Sequence, residues 1–395
     1  MKLAARAGRI GESATIAVAR RAKELQTAGR EILDLGAGEP DFCPPKVAVA
    51  AAQRALGDGF TRYTENAGIP ELRREIAARF RERYGAPWGP GDVLVTVGGK
   101  AALFEIALAL FERGREVVIP SPYWVSFPEQ VRFAGAQPVF VETSPSDGFR
   151  IHADAVLAAL TPRSGGVILN SPCNPTGGVV SASDLRRVAA ACAERGLPLI
   201  YDETYERFTY GGAEHASAAA LAAEFPETIV LVGSFSKTYA MTGWRLGYAL
   251  GPRTVIAAAA AVQSHATSNP TSFAMVGALA AWRGAEDEVR AMVAEYQARR
   301  DFLVPRLNGI PGFRCQPPAG AFYAFPDVAG CFRAGRADSL ALAEFLLEKA
   351  GVAVVPGAAF GADRHLRISF ACSRATLEKA LDRIAEALTE SGGDA

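Results

Sequence analysis

A chain of 395 residues exceeds what one hydrophobic core usually organises, which predicts two lobes with a small-molecule cleft between them. Its 42 basic and 42 acidic side chains cancel, so it lacks the electrostatic footprint of a dedicated nucleic-acid binder or a polybasic membrane protein. The six cysteines and four histidines are scattered without a close pair, which argues against a metal site or a redox dithiol and predicts reduced thiols.

The first forty residues hold one amphipathic helix and a turn, too little for an independent unit, and are expected to join the second lobe. Residues 1–18 carry scattered arginines but no continuous apolar run, and the Ala-rich stretch 255–262 is far too short to span a bilayer. Neither a secretory signal nor a membrane span is expected, and the cytoplasm is the default compartment. From about residue 90 a β-branched run, a turn and an Ala- and Leu-rich helical stretch recur. Strands are expected at 93–97, 117–120, 138–141, 167–170, 199–202, 229–233 and 246–250, several nearly all apolar, as buried parallel strands are. Helices are expected at 101–111 and at 183–194, the latter capped by Ser181 or Ser183.

This pattern predicts an α/β fold: a mostly parallel seven-stranded sheet with helices on both faces. After about residue 280 the text changes to a long charged helix, 286–307, and short strands near 320–325 and 365–370. These predict a smaller α+β domain. The expected division is a large domain over 45–285 and a small one formed by 1–44 and 286–395, with the tail 391–395 frayed.

In an open α/β sheet the ligand crevice lies beyond the carboxyl ends of the strands. After the first strand comes Gly98-Gly99-Lys100-Ala101, where small residues would let backbone amides approach a phosphate; an ordinary glycine turn reads the same way. The segment matches neither the dinucleotide fingerprint nor a P-loop, which leaves a nucleotide-binding protein as the weaker α/β alternative. After 167–170 comes Ser171-Pro172-Cys173-Asn174-Pro175-Thr176-Gly177, whose prolines would hold Asn174 on a rigid turn. The strand 199–202 delivers Asp202, either a helix cap or a partner for a protonated pyridine nitrogen, with Tyr205 three residues on. Ser234-Phe235-Ser236-Lys237-Thr238 and Gly243-Trp244-Arg245 follow. Partial desolvation and the nearby Arg245 would lower the Lys237 pKa enough for imine chemistry with an aldehyde, while Arg245 forks onto a phosphate.

Taken in this order, Ser-Pro-x-Asn-Pro-Thr-Gly, Asp-Glu-x-Tyr, Ser-Phe-Ser-Lys and Gly-Trp-Arg resemble the signature of class I aminotransferases, the fold-type I pyridoxal phosphate enzymes. The resemblance runs over residues 34–373 and includes Gly38-Glu39-Pro40-Asp41-Phe42, Tyr63, Ala67-Gly68-Ile69-Pro70 and Ser121-Pro122-Tyr123-Trp124. It implies pyridoxal 5′-phosphate as cofactor, with Lys237 resembling the Schiff-base lysine and Asp202 the partner of the pyridine nitrogen. Asn174 and Tyr205 look like the donors to the ring hydroxyl, and Trp124 like the plate on the ring. Ser234, Arg245 and the amides of Gly99, Lys100 and Ala101 look like the phosphate cradle. By the same resemblance Arg367 forks onto the substrate α-carboxylate beside Gly38 and Asn174. Tyr63 looks like the residue that reaches the phosphate of a second subunit in a homodimer with shared sites.

The implied reaction moves an amino group from an amino acid to a 2-oxo acid, Lys237 transferring the α-proton. Gly-Gly-Lys followed by Ala-Leu resembles the bacterial aspartate aminotransferase subgroup, in which this lysine, here Lys100, reads a distal carboxylate; an acidic donor is therefore expected. The alternatives are an aromatic or other amino donor, or a β-eliminating lyase on the same scaffold, because fold does not decide among these chemistries. A transcriptional regulator with such a domain would need a DNA-binding module, for which the short segment before Gly38 leaves no room. The sequence departs from the common pattern at Cys173, where Asn is more frequent, and at Glu105, where acidic-substrate members often carry Asn. Gly11-Glu12 precede Ser13-Ala14-Thr15 where prephenate-accepting members tend to carry a basic residue, which argues against prephenate, although Arg9 is close.

Overall fold

A computed structural model describes residues 14–390, with residues 3, 8 and 11. The expectations that rest on Arg9, Glu12, Ser13 and the tail 391–395 lie outside the described residues. β1 (Leu33–Asp34) stands apart from a seven-stranded sheet. That sheet contains β2 (Val93–Thr96), β3 (Glu116–Ser121), β4 (Gln137–Glu142), β5 (Ser164–Asn170), β6 (Leu199–Asp202), β7 (Ile229–Ser234) and β8 (Gly247–Leu250). Its order is β2-β8-β7-β6-β5-β3-β4, parallel throughout except for β8, which is antiparallel to both neighbours.

Side chains alternate across these strands with period two, and both faces are covered. Leu199 and Tyr201 of β6, with Ile229 and Leu231 of β7, pack on one face against the helices Pro70–Tyr84, Ala182–Glu194 and Ser272–Gly284. Ile200, Val230 and Val232 point to the other face, toward Gly99–Leu110, Ser126–Phe133 and Arg253–Ala266. Each aliphatic side chain buried this way contributes about 1.5–3 kcal/mol relative to exposure, so a one-residue slip would forfeit a whole face. The seven expected strands are the seven strands of this sheet. The helix expected at 101 begins instead at Gly99, because Gly98, with φ 85°, makes the break and Gly99 is then accommodated in the first turn.

A third apolar cluster gathers Leu35, Tyr205, Phe208 and residues between 292 and 387. It contains β9 (Tyr323–Ala324), Val352 of β10 (Val352–Ala353), and Leu366 and Ile368 of β12 (Leu366–Ser369), while β11 (Val355–Pro356) pairs with β12. β12 is central in the order β11-β12-β9, with Ser369 opposite Tyr323, and β1 pairs in parallel with β10. The helix Glu286–Asn308 crosses this region, with Tyr296 and Leu303 buried in the cluster. No helix among the described residues is long and apolar enough to cross a membrane.

Candidate active site

The carboxyl ends of β2, β5, β6 and β7 share one edge of the sheet. Because β8 runs the other way, its beginning, and with it Arg245, lies at that same edge. A cleft of about 510 Å³ opens there, floored by these strand ends and walled by Gly38 and Arg367.

One end of the cleft is built from glycine. Gly98 precedes the helix Gly99–Leu110, and a Cβ there would lie 2.7 Å from Arg245 Nη2. A Cβ at Gly247 would lie 2.3 Å from the Gly99 nitrogen. The absent side chains bring β8, the Arg245 guanidinium and a helix N-terminus together. Arg245 itself is left-handed, φ 55°, and anchored by Nη1 donating to Thr242 O at 2.8 Å. The Ser234 hydroxyl, which accepts from Ser236 N at 3.1 Å, lines the same corner. Free amides, a hydroxyl and a guanidinium around a space that a Cβ would fill suit a phosphate monoester. Ala101 does not line the cleft, and its amide already donates to Gly98 O at 3.0 Å.

The middle of the cleft holds Asp202 and Lys237. Asp202 ends β6 opposite Asn170 of β5; Asn170 donates to the Asp202 carbonyl at 3.1 Å and accepts from the Asn174 amide at 2.8 Å. The buried Asp202 carboxyl accepts from the Thr204 amide at 3.0 Å, and burial pushes its pKa up to about 6. Lys237 lies in the short helix Phe235–Thr238, its ammonium donating to Gly38 O. Its side chain as a whole is half-buried, yet burial of the amine dominates; with help from Arg367, Arg245 and Lys100 it lowers the pKa to about 8, against an opposing pull from Glu39. A free amine is therefore accessible close to neutral pH. Trp124 forms a wall, with Lys100 Nζ 5.1 Å from its ring centroid. Lys100 is exposed overall, but desolvation and the Arg245 charge draw its pKa down.

At the far end Arg367 is buried in β12. Its Nη1 donates to Asn174 Oδ1 at 3.1 Å and its Nη2 to Gly36 O at 2.7 Å, while Nε has no partner among the described residues. Tyr205 and Tyr323 share a hydrogen bond of 2.8 Å between hydroxyls. Tyr63 does not line the cleft and is 90% exposed. Glu105 lies buried outside the cleft, its Oε2 without a partner, and burial pushes its carboxyl up to about 8. Sequence reasoning missed Tyr323, Thr204 and Gly247. The short strand expected near 320–325 contains Tyr323, but nothing local indicates what it meets. Among the described residues no group of His, Cys, Asp or Glu is arranged to hold a metal ion.

The family model for aminotransferases of class I and II matches residues 30–384. The aspartate aminotransferase of Geobacillus stearothermophilus is 44% identical over 390 residues, 97% of this chain and 98% of that protein. The aspartate/prephenate aminotransferase of Thermus thermophilus is 44% identical over 380 residues, 95% of this chain and 96% of its own. The solved structure of the Thermus thermophilus aspartate aminotransferase with maleate superposes with a TM-score of 0.93 at 43% identity, over 98% of this chain and 100% of that one. Aspartate aminotransferases of this kind use pyridoxal 5′-phosphate, whose phosphate, pyridine nitrogen and aldehyde correspond in chemistry to the glycine-lined corner, Asp202 and Lys237. With the cleft built in this way and the match spanning nearly its whole length, the chain belongs to the class I and II aminotransferases.

Proposed function

We propose that this chain moves the amino group of an acidic amino acid, aspartate or glutamate, to a 2-oxo acid in two half-reactions, using pyridoxal 5′-phosphate at Lys237. The observation that carries the reading is a pair of cations. Arg367, Lys100 and Arg245 all depress the Lys237 pKa, line its cleft and form no ion pair with a carboxylate among the described residues; Arg245 faces the glycine-lined corner, which leaves Arg367 and Lys100. Two unpaired cations beyond the phosphate corner suit a substrate with two carboxylates. Several relatives are named for aspartate, which supports the same choice.

When bound, the cofactor supplies an electron sink for the charge left on the substrate α-carbon. Gly99 and Lys100 amides, the Ser234 hydroxyl and the Arg245 guanidinium would hold its phosphate, with Ala101 serving the helix turn whose Gly98 carbonyl its amide already binds. Asp202 would keep the proton on the ring nitrogen, and Trp124 would pack on the ring. Asn174 gives its Oδ1 to Arg367, which leaves its amide hydrogens, with the Tyr205 hydroxyl, for the ring oxygen. Arg367 keeps its Nε hydrogen and the second hydrogen on each Nη for an α-carboxylate, beside Gly38. The Lys237 amine takes the α-proton and returns it one position away.

We assign residues 45–285 to a large domain and 1–44 with 286–395 to a small one. The pairing of β1 with β10, and the Ser369 amide bound to Leu35 O at 2.7 Å, support joining the two chain ends. We also assign a homodimer in which Tyr63 completes the partner's phosphate site, supported by the exposure of a large aromatic side chain. Six free cysteines suit the cytoplasm. The test of the acidic donor is Lys100→Ala. Its kcat/KM for aspartate and glutamate should fall about tenfold or more, on the order of 1.4 kcal/mol, while alanine changes little. An equal loss for all donors would move Lys100 to the cofactor, and no loss would remove the main support for an acidic substrate.

A further inference from the structure

We propose that Tyr323 is a positioning residue that ties the cofactor's ring oxygen to the substrate-carboxylate arginine, so that one side chain aligns both partners of the reaction. This rests on the reading of the cleft given above. Three contacts converge on Tyr323, which is 1% exposed and lines the cleft. Its hydroxyl lies 2.8 Å from that of Tyr205. Its ring carries the Arg367 guanidinium, with Cζ 4.4 Å from the centroid. Gly38, in the segment between β1 and the helix Lys46–Gly57, accepts from Lys237 at its carbonyl and passes so close that a Cβ there would lie 3.4 Å from the Tyr323 hydroxyl and 3.9 Å from Arg367 Nη2.

Backbone pairing fixes this arrangement. Tyr323 in β9 and Arg367 in β12 lie on adjacent antiparallel strands, Tyr323 opposite Ser369, so the ring and the guanidinium share one face, two residues apart along β12. The hydroxyl pair has a direction once the cofactor is bound. Tyr205 has one hydrogen to donate, and if it goes to the ring oxygen then Tyr323 must donate to Tyr205. Such a chain polarises each member, so Tyr205 becomes a stronger donor than it would be alone. On its face the same phenol ring supports a buried cation, an attraction worth more in a desolvated site than in water. The sequence distance from Tyr205, 118 residues, hides this link from any local reading.

The two halves separate by substitution. Tyr323→Phe keeps the ring under Arg367 and removes only the hydroxyl. A weaker donor on the ring oxygen leaves more negative charge there, which favours the protonated form of the bound cofactor. The pH midpoint of its visible absorption band should therefore rise, by about half a pH unit or more, with little change in KM. Tyr323→Leu removes the ring as well and should raise KM about tenfold for aspartate and alanine alike, since both carry the α-carboxylate. A Tyr323→Phe enzyme with the wild-type midpoint, or a Tyr323→Leu enzyme with wild-type KM for both donors, would overturn the proposal. Thermal melting of both variants checks that they fold; a Tyr323→Phe protein that melts like wild type and shows no spectral change still counts against it. A wild-type enzyme that shows no visible band with pyridoxal 5′-phosphate would instead sink the cofactor reading itself.

Discussion

Asp202 shows how a single buried group turns environment into chemistry. Burial holds its carboxyl at about 6, above an ordinary aspartate, against the Thr204 amide, which pulls it down. A protonated ring nitrogen beside it favours the ionised carboxylate, so cofactor binding and proton release from Asp202 are linked. The carboxylate form binds; it predominates above about pH 6 and is lost below. The affinity of the apo-protein for pyridoxal 5′-phosphate should therefore weaken as pH falls through about 6. The phosphate also titrates near about 6, so Asp202→Asn serves as the reference: it should keep only the phosphate's share of the pH dependence and slow turnover by several orders of magnitude. Absorbance titrations of both proteins at acidic and neutral pH measure this, and identical pH profiles would show that Asp202 does not face the ring nitrogen.

The strands and helices set the spacing within which such residues act. At the start of β8 the Gly247 α-carbon faces backbone atoms, Gly99 N at 2.3 Å and Gly98 C at 2.5 Å from a built Cβ, so neither side can yield as a flexible side chain would. Gly247→Ala should push the helix Gly99–Leu110 away from Arg245. We expect cofactor affinity to drop about tenfold or more and stability to fall by about 1–3 kcal/mol, read by equilibrium dialysis and chemical denaturation. Unchanged affinity would show that the corner tolerates expansion. Gly247 also marks where sequence reading ends. The seven strands were legible because most are short apolar runs buried on both faces, the edge strand β4 being the partly exposed exception, and Lys237, Asp202 and Asn174 because they sit in dense local motifs. The direction of β8 was not legible, since a run buried on both faces reads the same either way. The alternation within 366–370 puts Arg367 on the face opposite Leu366 and Ile368, and in the fold that face is the cleft wall. The Tyr205–Tyr323 pair and the Gly247 approach were invisible because each depends on contacts made by residues remote in the sequence.

Across the whole molecule the cleft is bordered by the strap between β1 and the helix Lys46–Gly57. Gly36 O binds Arg367, Gly38 O binds Lys237, the Glu39 carboxylate accepts from Thr242 at 2.7 Å, and Asp41 pairs with Arg299 at 2.8 Å. Lys237 thus stands where the sheet edge, the strap and the β9–β12 cluster meet, while Tyr63 remains bare on the surface of the single chain. The central claim is that this junction carries out amino transfer through Lys237. It is tested most directly by adding aspartate alone to the purified holoenzyme and following the visible cofactor band together with the products. The band should disappear with release of one equivalent of the matching 2-oxo acid per site, return when a second 2-oxo acid is added, and be absent, with no product, in Lys237→Ala. A band that persists with no oxo acid released, alanine with carbon dioxide in place of that oxo acid, or turnover by the Lys237→Ala protein, would contradict the account.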